Sequence, residues 1–498
     1  MVIRFFVALV LSSFSVSLAA QKMSHAPVNR PNVNLRGAPV VLAQLKVVAP
    51  ASGKVILRFD GYCISSPGDR IVLAASQNGQ WGANDGNVEV QAANDDVNQN
   101  SFSHTRSYDV GPGEHTFYAV GQNVQKLGGN GIASVFGSLT AEWFPSAPGQ
   151  AFAQHQGFSF ENIYVEGAPI PFGKLTIEAP TAGKVLVRFD GKCYTGHGNL
   201  LYFAASNTPT WGNLDGSTSQ ETIDEDRNCF SFAHTRTYDV QAGSHTYYAV
   251  VENYYEIYGN GFASIFGSLT VQFYPQTSVL DYQFSTISTP FGVNIKENPV
   301  VLREIKVNAT TSGRVLVNFS GTCLGNSGDQ LRLAASDQPN WSDADGCIIF
   351  EPYSSDVNRT SFSHTRVYDV PAGEHSFYAV IQNWEEFGGA GLAVVYGSLT
   401  SKFYPSESSS AEEARLAEGL EIWPNPVSGG SVLVSCPNCE GKSTSVDLLD
   451  AQGRLLQNLT WDFKEGALRM DVPNWSGGVY FLRLRTEKGV ISRKIVQN

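Results

Sequence analysis

The chain has 498 residues, 42% of them apolar and 16% charged, with a formal net charge of −12 at neutral pH. That length exceeds what one hydrophobic core organises and suits three or four domains, and the apolar share excludes disorder over most of the chain. The acidity argues against nucleic acid as a partner, because phosphate binding needs a basic face to displace counterions. With 48 glycines, 11% aromatics and only 3 methionines, the composition describes an all-β chain with many turns.

The N-terminus predicts an export signal at 1–20. Arg4 supplies the positive end, Phe5 to Val16 the short apolar run, and Leu18-Ala19-Ala20 the small residues for cleavage after Ala20. The run is short for a bilayer span, and no later segment approaches about 18 apolar residues, so no transmembrane segment is expected in the mature chain.

Three copies of one module follow. Cys63, Cys193 and Cys323 stand 130 residues apart, and Trp81, Trp211 and Trp341, His104, His234 and His364, and Pro145, Pro275 and Pro405 keep the same period. The expected modules are 36–146, 166–276 and 296–405. Val55, Leu57 and Phe59 alternate with Ile56, Arg58 and Asp60, which marks a half-buried strand. Copy one predicts strands near 40–48, 54–60, 70–76, 87–92, 101–110, 115–123 and 131–143, with a hairpin at Gly111-Pro112-Gly113-Glu114. Seven or more strands without a helix predict a β-sandwich or jelly roll of open strand order. The segments near 147–165 and 277–295 carry Phe152, Phe158, Tyr282 and Phe284 and are suited to an extra edge strand on the following module. Residues 406–415 read as a polar linker.

Residues 416–498 predict a small β-sandwich whose last hairpin pairs Val479–Arg485 with Val490–Val496. Pro424-Asn425-Pro426, Asp450 with Gly453-Arg454, Gly478-Val479-Tyr480 and Lys494-Ile495-Val496 resemble the type IX (Por) secretion system C-terminal sorting domain, type A. The resemblance implies a bacterium of the Bacteroidetes type, Sec export, passage across the outer membrane by the type IX machinery, and release or attachment at the cell surface. Cys436-Pro437-Asn438-Cys439 departs from that pattern and suggests a local disulfide between Cys436 and Cys439.

Several residue sets are candidates for sites. Cys229 and Cys347 arise in the same loop of copies two and three, which predicts disulfides Cys193–Cys229 and Cys323–Cys347 and leaves Cys63 over. His104, Arg106 and their equivalents His234, Arg236, His364 and Arg366 recur on one strand, either as a binding surface or as a hydrogen-bonded structural network. Asp85, Asp96, Asp215, Asp226, Asp345 and Asp356 lie on repeated loops and are the candidate calcium ligands, against an ordinary role for Asp in turns. Trp81, Trp211 and Trp341 either stack on a sugar ring or pack in the core. Arg58 with Asp60, and Arg188 with Asp190, become Asn318 and Ser320 together in copy three, which fits a structural salt bridge. No GxSxG, HExxH, Walker or dinucleotide motif occurs, so no enzyme activity is expected. The sequence reading is a secreted or surface protein with tandem binding modules and no cofactor other than calcium. Its expected partner is a glycan or other surface ligand. The alternatives are a structural spacer or coat and, behind both, a hydrolase of extracellular polymer using Asp85, Asp96 and Asp109.

Overall fold

Eight strands make up the first module of the computed structural model: β1 (Lys22–Asn34), β2 (Val40–Ala49), β3 (Gly53–Ser65), β4 (Arg70–Ser76), β5 (Val88–Gln91), β6 (Gln99–Val110), β7 (Gly113–Asn123) and β8 (Ile132–Pro145). They form two antiparallel sheets in the orders β1-β8-β3-β6 and β2-β7-β4-β5. Pairing first with last, second with seventh, third with sixth and fourth with fifth is the wrapping of an eight-stranded jelly roll. The second module repeats it with β9 (Phe152–Tyr164), β10 (Ile170–Ala179), β11 (Gly183–Thr195), β12 (Asn199–Ser206), β13 (Thr218–Glu221), β14 (Cys229–Val240), β15 (Gly243–Glu256) and β16 (Phe262–Pro275).

In the third module the edge strand is split into β17 (Tyr282–Ser288) and β18 (Val293–Asn294). The module continues with β19 (Val300–Ala309), β20 (Gly313–Leu324), β21 (Asp329–Ser336), β22 (Ile348–Phe350), β23 (Arg359–Val370), β24 (Gly373–Glu386) and β25 (Leu392–Pro405). The described residues are 22–405 without 83–85, 93–97, 125–128, 147–149, 166, 212–215, 223–227, 257–258, 260, 277–281, 290–291, 296–297, 341–345, 353–357, 387–388 and 390. Beyond them, 420–497 is described without 428–430, 436–442, 451–454, 463–466, 472–476 and 487–488. No helix occurs among the described residues, and the proposed signal segment lies outside them.

The segments between modules supply the missing eighth strand. β9 pairs with β16 and β17 with β25, as β1 does with β8. A module therefore starts at its edge strand, about 14 residues before the first boundary read from the repeat.

Strand alternation holds inside each sandwich. Val55, Leu57, Phe59 and Cys63 all point into the first core and are fully buried, and Val185, Val187, Phe189 and Cys193 do the same in the second. The other face of β3 is not solvated. Ile56, Arg58 and Asp60 are 3%, 5% and 1% exposed, because this sheet covers the equivalent sheets of the other two modules. The described residues of 22–405 thus form one compact unit rather than three separate bodies.

The packing is cyclic. β5 of module one lies on β14 of module two, β13 of module two on β23 of module three, and β22 of module three on β6 of module one. One repeated bond marks each seam. Ser268 Oγ donates to the Thr105 carbonyl (3.3 Å), Ser398 Oγ to the Thr235 carbonyl (3.2 Å), and Ser138 Oγ to the Thr365 carbonyl (2.7 Å). These donors hold one repeat position and the acceptors another, so the modules close a heterologous ring about a pseudo-threefold axis.

The second unit, 406–498, is a sandwich of two sheets. β26 (Glu421–Trp423), β27 (Ser431–Ser435) and β30 (Ala467–Asp471) form one; β29 (Leu455–Asp462), β28 (Ser443–Asp450), β31 (Gly478–Thr486) and β32 (Gly489–Gln497) form the other. The predicted last hairpin forms in the expected register, with Val479 opposite Val496 and Arg485 opposite Val490. Asn425 of the Pro-Asn-Pro motif clips onto it: its Nδ2 donates to the Lys494 carbonyl (2.9 Å) and its Oδ1 accepts from the Val496 amide (2.9 Å).

Candidate functional site

The outward faces of the inner sheets meet around the pseudo-threefold axis as a buried, polar column. Glu142, Gln272 and Lys402 occupy one repeat position, each 1% exposed. Lys402 Nζ lies 2.8 and 3.1 Å from the Glu142 carboxylate oxygens and donates to Gln272 Oε1 at 2.9 Å. Gln272 Nε2 faces Glu142 Oε1 at 3.5 Å, and the hydroxyls of Tyr274 and Tyr404 donate to Glu142 Oε2. Burial alone would raise the Glu142 carboxyl, but Lys402 and Arg58 override it and hold it at about 2. Burial lowers Lys402 to about 8 against the pull of Glu142, with Arg58 adding to the depression.

The next layer holds Arg58, Arg188 and Asn318, then Asp60, Asp190 and Ser320, all buried. The expected structural bridge is present in copy two, where Arg188 Nε donates to Asp190 at 2.9 Å. In copy one the partners separate. Arg58 turns to Glu142 (3.3 Å), while Asp60 accepts from Ser363 (3.2 Å) and Thr365 (2.6 Å) of module three. Asp190 likewise accepts from Ser103 (3.2 Å) and Thr105 of module one. Across the three layers, three formal cations face three formal anions. In this ring copy one contributes a net negative charge, copy two none and copy three a net positive one, so the first and third offset each other.

Clefts open where the seams reach the surface. The seam of modules one and two holds a cleft of about 630 Å³, bringing Trp81 and Arg106 of module one against His155, Gly157 and Lys192 of module two. The seam of modules three and one holds one of about 670 Å³, with Arg366 and Arg332 facing Tyr62 and Phe136. At the remaining seam Arg236 sits over the Phe284 ring, 5.5 Å from its centroid. The repeated arginine thus reaches the edge strand of the next module at every seam. Arg106 lies against Gly86, where any side chain would collide with its guanidinium, and its far end is 3.2 Å from where a Gly157 Cβ would stand.

The seams differ in chemistry. Between modules one and two, Glu89 accepts from Arg70 and Lys192, Lys192 also donates to Asn87 (2.6 Å), and Arg70 donates to the Tyr194 hydroxyl (2.5 Å). Between two and three, the Lys192 position is Thr322, which bonds to Thr218 (2.9 Å) and the Ser219 amide (2.6 Å). Between three and one it is Tyr62, stacked on Phe136 at 5.1 Å.

The repeated histidines take part in the fold through one ring nitrogen, and His104 and His364 also line the seam clefts. Nδ1 of His104, His234 and His364 accepts the amide of Ala75 (2.9 Å), Ala205 (2.8 Å) and Ala335 (2.9 Å), tying one sheet of each jelly roll to the other. Burial, then the neighbouring arginines, push His234 and His364 down to about 3. Trp81 is half-buried and donates from its indole to Gln122 (2.8 Å); Trp211 is half-buried and stacks on Tyr202 at 6.1 Å.

The disulfide expectation is corrected: Cys63, Cys193, Cys229, Cys323 and Cys347 are all buried thiols. Cys193 pairs in register with Phe230, and Cys229 with Tyr194. Neighbouring strand residues point to opposite faces, so Cys193 enters the core while Cys229 faces Glu89 of module one. Cys323 is likewise in its core, whereas Cys347 lines the seam cleft beside Tyr62. Trp341, the aspartates Asp85, Asp96, Asp215, Asp226, Asp345 and Asp356, and Cys436 with Cys439 lie outside the described residues.

Sequence reasoning missed Glu142, Gln272 and Lys402. The available signal was one outward strand position that holds an acid, an amide and a base in turn, next to large apolar residues.

Residues 421–498 match the family described as "Secretion system C-terminal sorting domain". The second unit is therefore a type IX secretion sorting domain, and the chain is built for export to the surface or the medium. No curated protein matches the chain. Solved structures with some likeness include one from Sulfolobus Turreted Icosahedral Virus (9% identity, 77% of this chain and 90% of that one, TM-score 0.18). Others are PNGase F, a glycosylasparaginase from Flavobacterium meningosepticum (10%, 51% and 96%, TM-score 0.24), and a Ruminococcus gnavus beta-glucuronidase (13%, 39% and 33%, TM-score 0.13). At such scores these likenesses carry no argument.

Proposed function

We propose that the exported chain is a non-catalytic binding protein of the cell surface or medium, taking glycan or a similar hydroxyl-rich, anionic polymer in the clefts between its jelly rolls. The observation that carries this reading is the meeting of Trp81 and Arg106 with His155 and Lys192 across one seam. An indole offers a face for a sugar ring, and a guanidinium offers paired donors to carboxylate or hydroxyl. The repeated His does not suit acid–base work near neutral pH, because its Nδ1 is already committed to a backbone amide.

The test is a glycan array probed with the mature full-length chain, followed by calorimetry on any ligand found. Trp81→Ala and Arg106→Ala should each weaken binding by about tenfold without lowering the melting temperature. Absence of any glycan ligand, or variants that bind as well as the parent, would count against it. Turnover of the bound polymer would point instead to a hydrolase. A second reading, a structural coat or spacer, is favoured by the locked histidines and the buried column, and it predicts a null array.

A further inference from the structure

The column contains one group that stability alone does not require. Replacing Gln272 by an apolar residue would still leave Lys402 paired with Glu142, yet a carboxamide stands beside that pair, within reach of both. Glu142 meets the prospective nucleophile with both oxygens, 2.8 and 3.1 Å from Lys402 Nζ, and its Oε1 also lies 3.5 Å from the prospective leaving group, Gln272 Nε2. Lys402 Nζ is already 2.9 Å from the Gln272 carbonyl oxygen. All three side chains are buried from bulk solvent. Reacting groups held this way gain the orientation advantage of an intramolecular reaction.

We propose that Lys402 and Gln272 join in an intramolecular isopeptide bond, formed with Glu142 as proton shuttle, which welds module three to module two. The Lys402 ammonium first gives one proton to the Glu142 carboxylate, and the free amine attacks Cδ of Gln272. As the new C–N bond forms, the Glu142 carboxyl hands that proton to Nε2, and the Cδ–Nε2 bond breaks to release ammonia. The second proton lost by Nζ passes through the same carboxylate to the ammonia, which leaves as ammonium. One ammonium and one carboxamide become one secondary amide and one ammonium ion, and no oxidant or co-reactant is used. Burial and the nearby guanidinium of Arg58 favour the free amine, bringing Lys402 down to about 8. The hydroxyls of Tyr274 and Tyr404 on Glu142 Oε2 fix the orientation of the shuttle.

The experiment is peptide mapping by mass spectrometry of the purified mature chain, digested after denaturation. The expected result is a joined peptide containing Gln272 and Lys402, lighter than its two parts by one ammonia, with Lys402 resistant to amine-directed labelling. Glu142→Gln should leave the two peptides separate and Lys402 open to the label. Separate peptides in the wild-type digest overturn the proposal whatever the variants do. A joined peptide that persists undiminished in Glu142→Gln removes Glu142 from the chemistry.

Discussion

His234 and His364 show how a conspicuous residue serves the fold. Each sits in the wall of a jelly roll with its Nδ1 filled by an alanine amide and an arginine two residues along the strand. The folded chain resists a proton that the unfolded chain accepts at the ordinary value of 6.5, because the folded rings titrate only at about 3. Their contribution to stability is therefore complete above pH 6.5 and declines as pH falls towards 3. The melting temperature should drop between pH 6.5 and 5, where carboxylates contribute little. In the double variant His234→Gln/His364→Gln that slope should flatten, since an amide oxygen can still accept the backbone bond without titrating. Glycine makes the complementary case. Gly61 and Gly137 face each other across β3 and β8, and a methyl group on Gly137 would stand 2.0 Å from the Asp60 carbonyl oxygen. Gly137→Ala should cost about 1–3 kcal/mol in chemical denaturation.

At the scale of strands, alternation was legible and its meaning half so. Val55, Leu57 and Phe59 identify the core face of β3 because apolar residues at every second position have one place to go. Arg58 and Asp60 on the other face looked half-solvated, since a single sequence carries no sign of a partner module covering them. The strand order was hidden for a related reason: the jelly-roll pairs are far apart in sequence, and only the turn chemistry of close hairpins is local. The seam clefts were legible as residues, in the repeated Trp and Arg, but not as places, because each is completed by the following module. Asp190 is the sharpest example of such a long-range role. It serves β11 through Arg188 and holds β6 of module one through Ser103 and Thr105. Asp190→Asn leaves a buried guanidinium short of its counter-charge and should destabilise the first unit by about 3–5 kcal/mol in denaturant titration. Asp239, exposed and paired with Lys184, should tolerate the same change within about 0.5 kcal/mol.

For the whole molecule, the buried charges of divergent copies offset one another. A ring of three copies of module one would bury a surplus of acid, and a ring of three copies of module three a surplus of base; the natural mixture cancels as the ring closes, while Lys402 is still an ammonium. Lys402→Glu sets two acids together in a buried site and should make the 22–405 unit sensitive to limited proteolysis at neutral pH. Glu142→Lys combined with Lys402→Glu restores the balance and should recover much of the resistance, a coupling that independent modules would not show.

The bond from Ser138 to the Thr365 carbonyl also bears on timing. A chain synthesised from its amino end presents the first jelly roll long before β23 follows, so the earliest surface to emerge has to wait, one polar flank uncovered, for almost the last segment ahead of the sorting domain. Contacts so distant along the chain are slow to form. The first module's exposed Arg58 and Asp60 would keep that waiting surface wet and discourage it from gripping a neighbour, and the circle would seal only when the cargo is whole.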